Sequence, residues 1–229
     1  MDEMDSARPY QSQYHILVEG NIAVGKSTFV KHLGKALGPN AKVFSEPLEE
    51  WTNFRGTNLL RESYLNPSEN SFRFQTYVQL SIGAIQFQQV YPPIKIMERS
   101  LGSGRYIFTE AIKQKGHISR TEYDILDAWY QWLISISPGI DEIIYLRSTP
   151  EVAFNRLKNR ARDEESNIDL EYLQLLHELH ERWLMDHNNS HPPVRVIDSN
   201  QPLEVAIANA NRLAQDLTER IFPHLLIVQ

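Results

Sequence analysis

Residues 20–28 read Gly20-Asn21-Ile22-Ala23-Val24-Gly25-Lys26-Ser27-Thr28, and the apolar run Ile16-Leu17-Val18 leads directly into them. This is a complete G-x-x-x-x-G-K-[ST] phosphate loop, and its positions have physical tasks. Gly20 and Gly25 allow backbone angles that turn successive N–H groups inward on an anion. Lys26 carries a mobile positive charge toward the β- and γ-phosphates, and Ser27 offers a hydroxyl to Mg2+. A helix beginning near Lys26 aims its positive end at the same point. Asn21, Ile22, Ala23, Val24 and Thr28 complete the nucleotide-binding loop. A strand before the loop and an amphipathic helix after it, with Phe29, Val30, Leu33 and Leu37 on one side, supply the context such a motif needs. The segment predicts a protein that binds a nucleoside triphosphate.

Outward from the loop, short apolar runs alternate with helical patterns. Strands are expected at 14–19, 42–45, 94–98, 143–147 and 194–197. Helices are expected at 26–37, 71–90, 100–113, 120–136, 150–162, 170–187 and 202–221. Strands this apolar are covered on both faces, so the pattern predicts an α/β fold of the P-loop NTPase type: a doubly wound, five-stranded parallel sheet flanked by helices, with a lid segment. Ligands in such sheets bind at the carboxyl ends of the strands, which gathers Gly20, Glu46, Glu98 and the segment after Arg147 around one crevice. One domain is expected over 14–222, with the lid at about 156–168, a flexible N-terminal segment at 1–13 and a tail at 223–229. Asn188 to Pro193 read as a mobile edge.

Composition narrows the function classes. The chain has 229 residues, a formal net charge of −6 and no cysteine. An acidic chain lacks the Lys/Arg excess that neutralises a polyanion, so a small substrate is expected and nucleic acid is not. Without cysteine there are no disulfides, thiolate metal sites or cysteine nucleophiles. No apolar run approaches the roughly 20 residues of a membrane span. The first fourteen residues hold three acids and one arginine, and read as neither a secretory signal nor a mitochondrial transit peptide. A cytoplasmic or nuclear location is expected. Asn188-Asn189-Ser190 matches a glycosylation sequon, which is silent without secretion.

A phosphate loop alone does not choose between hydrolysis, signalling and transfer; the other charged residues bear on that. Glu46 closes the second strand, where Pro47 holds it extended. There it fits a general base for an attacking hydroxyl, a helix N-terminal acid, or a solvated edge. Glu98-Arg99-Ser100 closes the third strand, with Glu98 fitting a Mg2+ ligand and Arg99 a phosphate or nucleophile partner, or the two an ordinary surface ion pair. Arg156, Arg160 and Arg162 precede Asp163-Glu164-Glu165, as a lid over a triphosphate or as a salt-bridged surface helix. Phe74, Gln75 and Val78 share a helical stretch in which an amide among aromatics can pair with a nucleobase edge. Trp51, Tyr64 and Phe108 offer walls, though aromatics at helical spacing serve a core equally well. His177 and His180 lie one residue too close for a zinc motif and read as a core helix with a charged rim. Asp198-Ser199-Asn200 fits either an adenine-contacting loop or a helix N-cap.

Taken in order, these blocks resemble the deoxyribonucleoside kinase family: Gly20 to Thr28; Glu46-Pro47 with Trp51; Phe74-Gln75-Thr76-Tyr77; Glu98-Arg99-Ser100; Arg105-Tyr106-Ile107-Phe108; Arg160-Ala161-Arg162 with Glu164-Glu165; and 176–181 with Trp183-Leu184. The resemblance runs from about Tyr14 to Leu184 and is nearest the branch of the insect multisubstrate and mitochondrial thymidine enzymes. It implies transfer of the γ-phosphate of ATP, with Mg2+, to the 5′-hydroxyl of a deoxynucleoside. Glu46 would be the base and Arg99 its assistant; Glu98 and Ser27 would hold Mg2+. Gln75 would read the base edge, Phe108 would stack on it, and Trp51 and Phe74 would line the slot. Tyr64 and Glu165 would hold the 3′-hydroxyl, and Arg160 and Arg162 would form the lid. A homodimer packed through helices is implied as well. Ile82 and Gly104 stand where the deoxycytidine branch has an arginine and an aspartate, and Val78 where it has a smaller residue. Pyrimidines, thymidine and deoxycytidine, are therefore expected over purines. Val24 departs from the family's Gly or Ala, and either points away from the phosphates or tunes the loop. A thymidylate-type monophosphate kinase is the alternative.

Overall fold

The six residues Tyr14–Glu19 form strand β1, and the rest of the site is arranged around its carboxyl end. The computed structural model describes residues 13–91, 93–186 and 191–222. Residues 1–12 of the segment expected to be flexible at 1–13, the tail 223–229 and the sequon at 188–190 lie outside them. The other strands are β2 (Ala41–Phe44), β3 (Ile94–Glu98), β4 (Glu142–Arg147) and β5 (Val194–Asp198), and the sheet order is β2-β3-β1-β4-β5. Every described pairing is parallel, with Val18 opposite both Glu98 and Ile144. Central strands β1, β3 and β4 are almost wholly buried, as expected of strands covered on both faces, whereas edge strands β2 and β5 are half-exposed.

Helix α1 (Lys26–Leu37) buries Phe29, Val30, Leu33 and Leu37 and packs against α9 (Leu203–Ile221). Between β2 and β3 lie α2 (Leu48–Thr52), α3 (Leu59–Leu65) and α4 (Pro67–Phe87). The first two are too short to show a hydrophobic period, and sequence reading missed them. Helix α4 begins at Pro67, four residues ahead of the expected Ser71, because proline at the first helical position has its φ already set for a helix. It ends at Phe87 rather than Val90. The buried Lys95 of β3 takes the helix's last carbonyls: its Nζ donates to the oxygens of Ile85, Gln86 and Gln88 at 2.7, 2.9 and 2.6 Å.

The expected helix 100–113 is interrupted. Ser103–Thr109 forms a π-helical stretch, followed by α5 (Glu110–Gln114), and such stretches are frequent at functional sites. Helix α6 (Arg120–Ser135) starts with a capping box between Ser119 and Glu122. Helix α7 (Pro150–Arg160) stops short of Arg162 because Ala161 turns left-handed at φ 48°. Helix α8 (Leu170–Leu184) presents Leu173, Leu176, Leu179 and His180 to the core, ending before the expected His187, which lies outside the described residues. No helix among the described residues is long and apolar enough to cross a membrane.

Candidate active site

Gly20 follows β1 in a conformation with φ 147°, and a Cβ there would sit 2.6 Å from the carbonyl oxygen of Leu146. Only glycine lets the chain leave the strand this close to β4, which sets the direction of the loop. Gly25, at φ 100°, is the left-handed residue from which α1 starts. Between them Val24 turns its side chain into the core, 1% exposed, so the departure at this position points away from the loop's concave side. The Val24 carbonyl accepts from Ser199 Oγ at 2.6 Å and from Arg156 at 3.3 Å. Asn21 is also committed to the scaffold, donating to the Leu173 carbonyl at 2.8 Å and accepting from the N–H of Ile22.

A cavity of about 480 Å3 opens from this loop. Ile22, Ala23, Gly25, Lys26, Ser27 and Thr28 line one end; Gly20, Asn21 and Val24 do not reach it. Lys26 is buried, and its Nζ donates to the carbonyls of Gly20 and Asn21 at 3.2 and 2.8 Å. Burial, with the Arg99 charge nearby, lowers its pKa to about 8. A phosphate at the loop supplies the anionic partner that two carbonyl dipoles replace only in part.

The carboxyl ends of β2 and β3 supply the charged neck of the cavity. Glu46 follows β2 immediately ahead of α2, and its side chain is directed to Arg99, whose Nε donates to Oε1 at 2.8 Å. Neither a solvated edge nor a surface ion pair between neighbours 98 and 99 describes this arrangement: Arg99 is 4% exposed and pairs across strands. Its backbone is left-handed at φ 66°, which costs a non-glycine residue roughly 1–2 kcal/mol. The turn is held by the Arg99 N–H donating to the Val18 carbonyl at 3.0 Å. Burial works against the guanidinium charge, but Glu46, Glu19 and Glu98 outweigh it and raise the pKa of Arg99. Beside this pair, Ser27 Oγ donates to Glu98 Oε1 at 2.8 Å, and Glu98 Oε2 is buried without a partner. One carboxylate and one hydroxyl at a phosphate loop form the sparse oxygen set that Mg2+ takes when substrate phosphates and water complete its shell.

Beyond the neck the lining becomes aromatic. Trp51, Phe74, Gln75, Val78 and Ile82 line it from α2 and α4, Tyr64 from α3, and Gly104 and Phe108 from the π-helical stretch. The Trp51 indole donates to Ser81 Oγ at 2.9 Å and meets Phe74 edge-on at 5.6 Å. Phe108 lies under the Arg99 guanidinium, 4.7 Å from ring centroid to Cζ. Gln75 is 4% exposed, and its Oε1 has no hydrogen-bond partner. A buried amide oxygen left unpaired in a cavity is the feature a hydrogen-bonding ligand would satisfy.

Arg160, Arg162 and Glu165 close the rim, with Glu165 paired to both arginines, at 3.5 Å for Arg162. Arg156 lines the cavity as well, and its guanidinium ties the β5–α9 connection to the phosphate loop through the carbonyls of Val24, Ser199 and Gln201. In that connection the Asn200 N–H donates to Asp198 Oδ1, and Asn200 Oδ1 accepts from Ser148 Oγ and the Thr149 N–H; α9 starts at Leu203 after Pro202, so none of residues 198–200 is its N-cap. His180 is buried and stacked on Tyr145, as a core residue, and no metal-binding cluster of His, Cys, Asp or Glu exists among the described residues. Sequence reading missed several lining residues, including Ser71, Lys115, His117 and Tyr172. Ser71, one turn ahead of Gln75, follows from helical spacing once the start at Pro67 is seen; the others carry no local signal.

The chain is similar to several known nucleoside kinases. Mitochondrial thymidine kinase 2 of Macaca fascicularis is 38% identical over 204 residues, covering 87% of this chain and 76% of that protein. Deoxycytidine kinase 2 of Gallus gallus is 36% identical over 218 residues, covering 81% and 82%. Mitochondrial deoxyguanosine kinase of Xenopus laevis is 38% identical over 190 residues, covering 73% and 71%. These relatives support a nucleoside acceptor and not the monophosphate acceptor of the alternative reading. The deoxynucleoside kinase family matches residues 16–222, nearly all of the sheet and the cavity at its carboxyl edge, and the chain belongs to that family of enzymes, which pass a phosphoryl group from ATP to a deoxynucleoside.

Proposed function

We propose that this kinase prefers pyrimidine deoxynucleosides, thymidine and deoxycytidine, and phosphorylates their 5′-hydroxyl through a single domain spanning 14–222 with a lid at about 156–168. The observation that carries the reading is the Arg99–Glu46 contact of 2.8 Å at the neck between the phosphate loop and the aromatic slot. Glu46 accepts the proton of the 5′-hydroxyl as its oxygen bonds to the γ-phosphorus. The bond from that phosphorus to the β,γ-bridging oxygen breaks, and ADP leaves. Arg99 holds the Glu46 carboxylate in place. Lys26 and the loop N–H groups hold the phosphates in line, and Arg160 and Arg162 cover them and exclude water. Ser27 and Glu98 would hold Mg2+, which neutralises phosphate charge when bound.

On the acceptor side, Gln75 pairs with the base edge, Phe108 stacks on it, and Trp51 and Phe74 form the walls. Tyr64 and Glu165 take the 3′-hydroxyl. Val78 and Ile82, both nearly fully buried, make the deep end of the slot apolar, which suits a 5-methyl group and gives an exocyclic amine no charged partner. Gly104 leaves some room there. The absence of cysteine fits a reducing compartment such as the cytoplasm. A homodimer is part of the proposal: Ile125, Trp129 and Trp132 on α6, with Ile136 just beyond, are 41, 49, 54 and 54% exposed and form an apolar stripe that a second copy would cover.

Steady-state rates with the four deoxynucleosides and with thymidine monophosphate, at fixed ATP and Mg2+, test the substrate reading. Thymidine and deoxycytidine are expected to give the highest kcat/KM, and the monophosphate none. A value for deoxyadenosine or deoxyguanosine tenfold above thymidine overturns the preference.

A further inference from the structure

Glu19 is the last residue of β1, is 0% exposed, and has no part in the mechanism above. Its Oε1 accepts from Ser100 Oγ at 2.6 Å, while Oε2 is buried without a partner. Ser100 and Ser103 are themselves locked together by three bonds. The Ser100 N–H donates to Ser103 Oγ at 3.1 Å, the Ser103 N–H donates to Ser100 Oγ at 3.2 Å, and Ser103 Oγ donates to the Ser100 carbonyl at 2.9 Å. Ser100 directly follows the left-handed Arg99, and Ser103 is the first residue of the π-helical stretch that carries Gly104 and Phe108.

A left-handed arginine and a π-helical turn are both conformations that persist only where the surroundings hold them. On one side the holder is the Val18 carbonyl, which takes the Arg99 N–H. The side-chain holder is the serine pair, fixed to β1 through Glu19. Resting on the reading of Arg99 and Phe108 given above, we propose that Glu19 is a positioning residue for phosphoryl transfer, acting through its hydrogen bond with Ser100 to hold Arg99 against Glu46 and to set the π-helical wall of the base slot. One buried carboxyl thereby links the strand that feeds the phosphate loop to the turn that faces the nucleobase. The group touches neither substrate, and what it transmits is geometry. Burial pushes its carboxyl up to about 7 against the pull of Arg99 and Ser100, so a partly neutral side chain serves the same bond, and a glutamine oxygen can replace it.

The test compares wild type, Glu19→Ala, Glu19→Gln and Ser100→Ala in the full chain. Measured are kcat and KM for thymidine and deoxyadenosine, Kd for ATP, and thermal melting. Glu19→Ala is expected to lower kcat at least 30-fold with Kd for ATP within threefold, and to change the ratio of thymidine to deoxyadenosine kcat/KM at least threefold. Glu19→Gln is expected within fivefold of wild type on kcat. A merely structural residue would lower the melting temperature and leave the ratio alone. A folded Glu19→Ala with kcat within threefold of wild type, an unmoved ratio, or a glutamine variant as slow as alanine overturns the proposal. Should Glu19→Ala not fold, Ser100→Ala decides: a tenfold loss of kcat supports it and a change below twofold sinks it. Wild type that phosphorylates none of the four deoxynucleosides refutes the underlying reading of the site instead, before Glu19 is altered.

Discussion

The Nε of Arg99 stands 2.8 Å from Oε1 of Glu46, and the same guanidinium covers the Phe108 ring, 4.7 Å from its centroid. One cation therefore touches both the residue proposed to take the proton and the residue proposed to stack on the base. Glu46→Gln keeps a hydrogen-bond acceptor for Arg99 but removes the basic oxygen. It is expected to lower kcat by about 10²–10⁴-fold while Kd for ATP stays within threefold. Single-turnover rates and a nucleotide-binding titration separate the two. A variant retaining a tenth of wild-type kcat removes Glu46 from the role of base.

Gly104 lines the cavity, and a Cβ built there meets nothing within 4 Å. Gly104→Ala thus adds a methyl group to the slot without a clash in the scaffold. The melting temperature is expected to stay within about 2 °C. The larger purine nucleosides should lose kcat/KM by about 10-fold, more than thymidine does, since one methylene in a tight pocket is worth about 1–3 kcal/mol. Equal losses for purine and pyrimidine would place Gly104 away from the base.

Arg162 lies beyond the end of α7, half-exposed and 3.5 Å from Glu165. Its position on a rim, rather than on a rigid helix, suits a residue that closes on ATP. Arg162→Ala is expected to raise KM for ATP about tenfold and to change melting little, because the buried Glu165 keeps its pairing with Arg160 when Arg162 is removed. Initial rates at varied ATP and saturating thymidine measure it; an unchanged KM argues against a lid role.

His180 is held neutral by burial, with a pKa lowered to about 3, and its ring lies parallel to Tyr145 at 5.9 Å. The folded-state pKa lies below the unfolded value of about 6.5, so the unfolded chain binds the proton more readily. The stability this residue contributes is complete above pH 6.5 and is lost as pH falls toward 3, at up to about 1.4 kcal/mol per pH unit. Urea unfolding of wild type and His180→Gln at pH 8, 6 and 5 is expected to show a flatter pH dependence in the variant. Parallel slopes would mean that His180 does not titrate on unfolding.

The parallel sheet and its crevice were legible because strands buried on both faces leave unbroken apolar runs. The phosphate loop was legible because its chemistry is contiguous. Glu46, Glu98 and Arg99 were placed at strand ends from Pro47 and from the apolar approach of β3. Their pairing across strands was not visible, since Glu98-Arg99 reads equally as a local ion pair. Helices α2 and α3 escaped because five and seven residues carry no measurable period. The arginine cluster was read as a lid or a salt-bridged helix; Ala161 ends the helix before Arg162 by turning left-handed, and the side chain of Arg156 is held by the backbone carbonyls of Val24, Ser199 and Gln201, partners no sequence window shows. Short-range patterns encode elements well, but long-range partners such as Lys95 under the end of α4 leave no mark in a sequence window.

Helix α4 carries Phe74, Gln75, Val78 and Ile82 on successive turns, whereas the groups proposed to handle phosphate come from the ends of β1, β2 and β3 and from the rim after α7. The stretch from Glu98 to Phe108 belongs to both sets. On the proposed reading, choice of nucleobase is a trait that a few exchanges along one cylinder can revise, while phosphoryl chemistry, assembled from distant pieces of chain, must be kept whole or lost together.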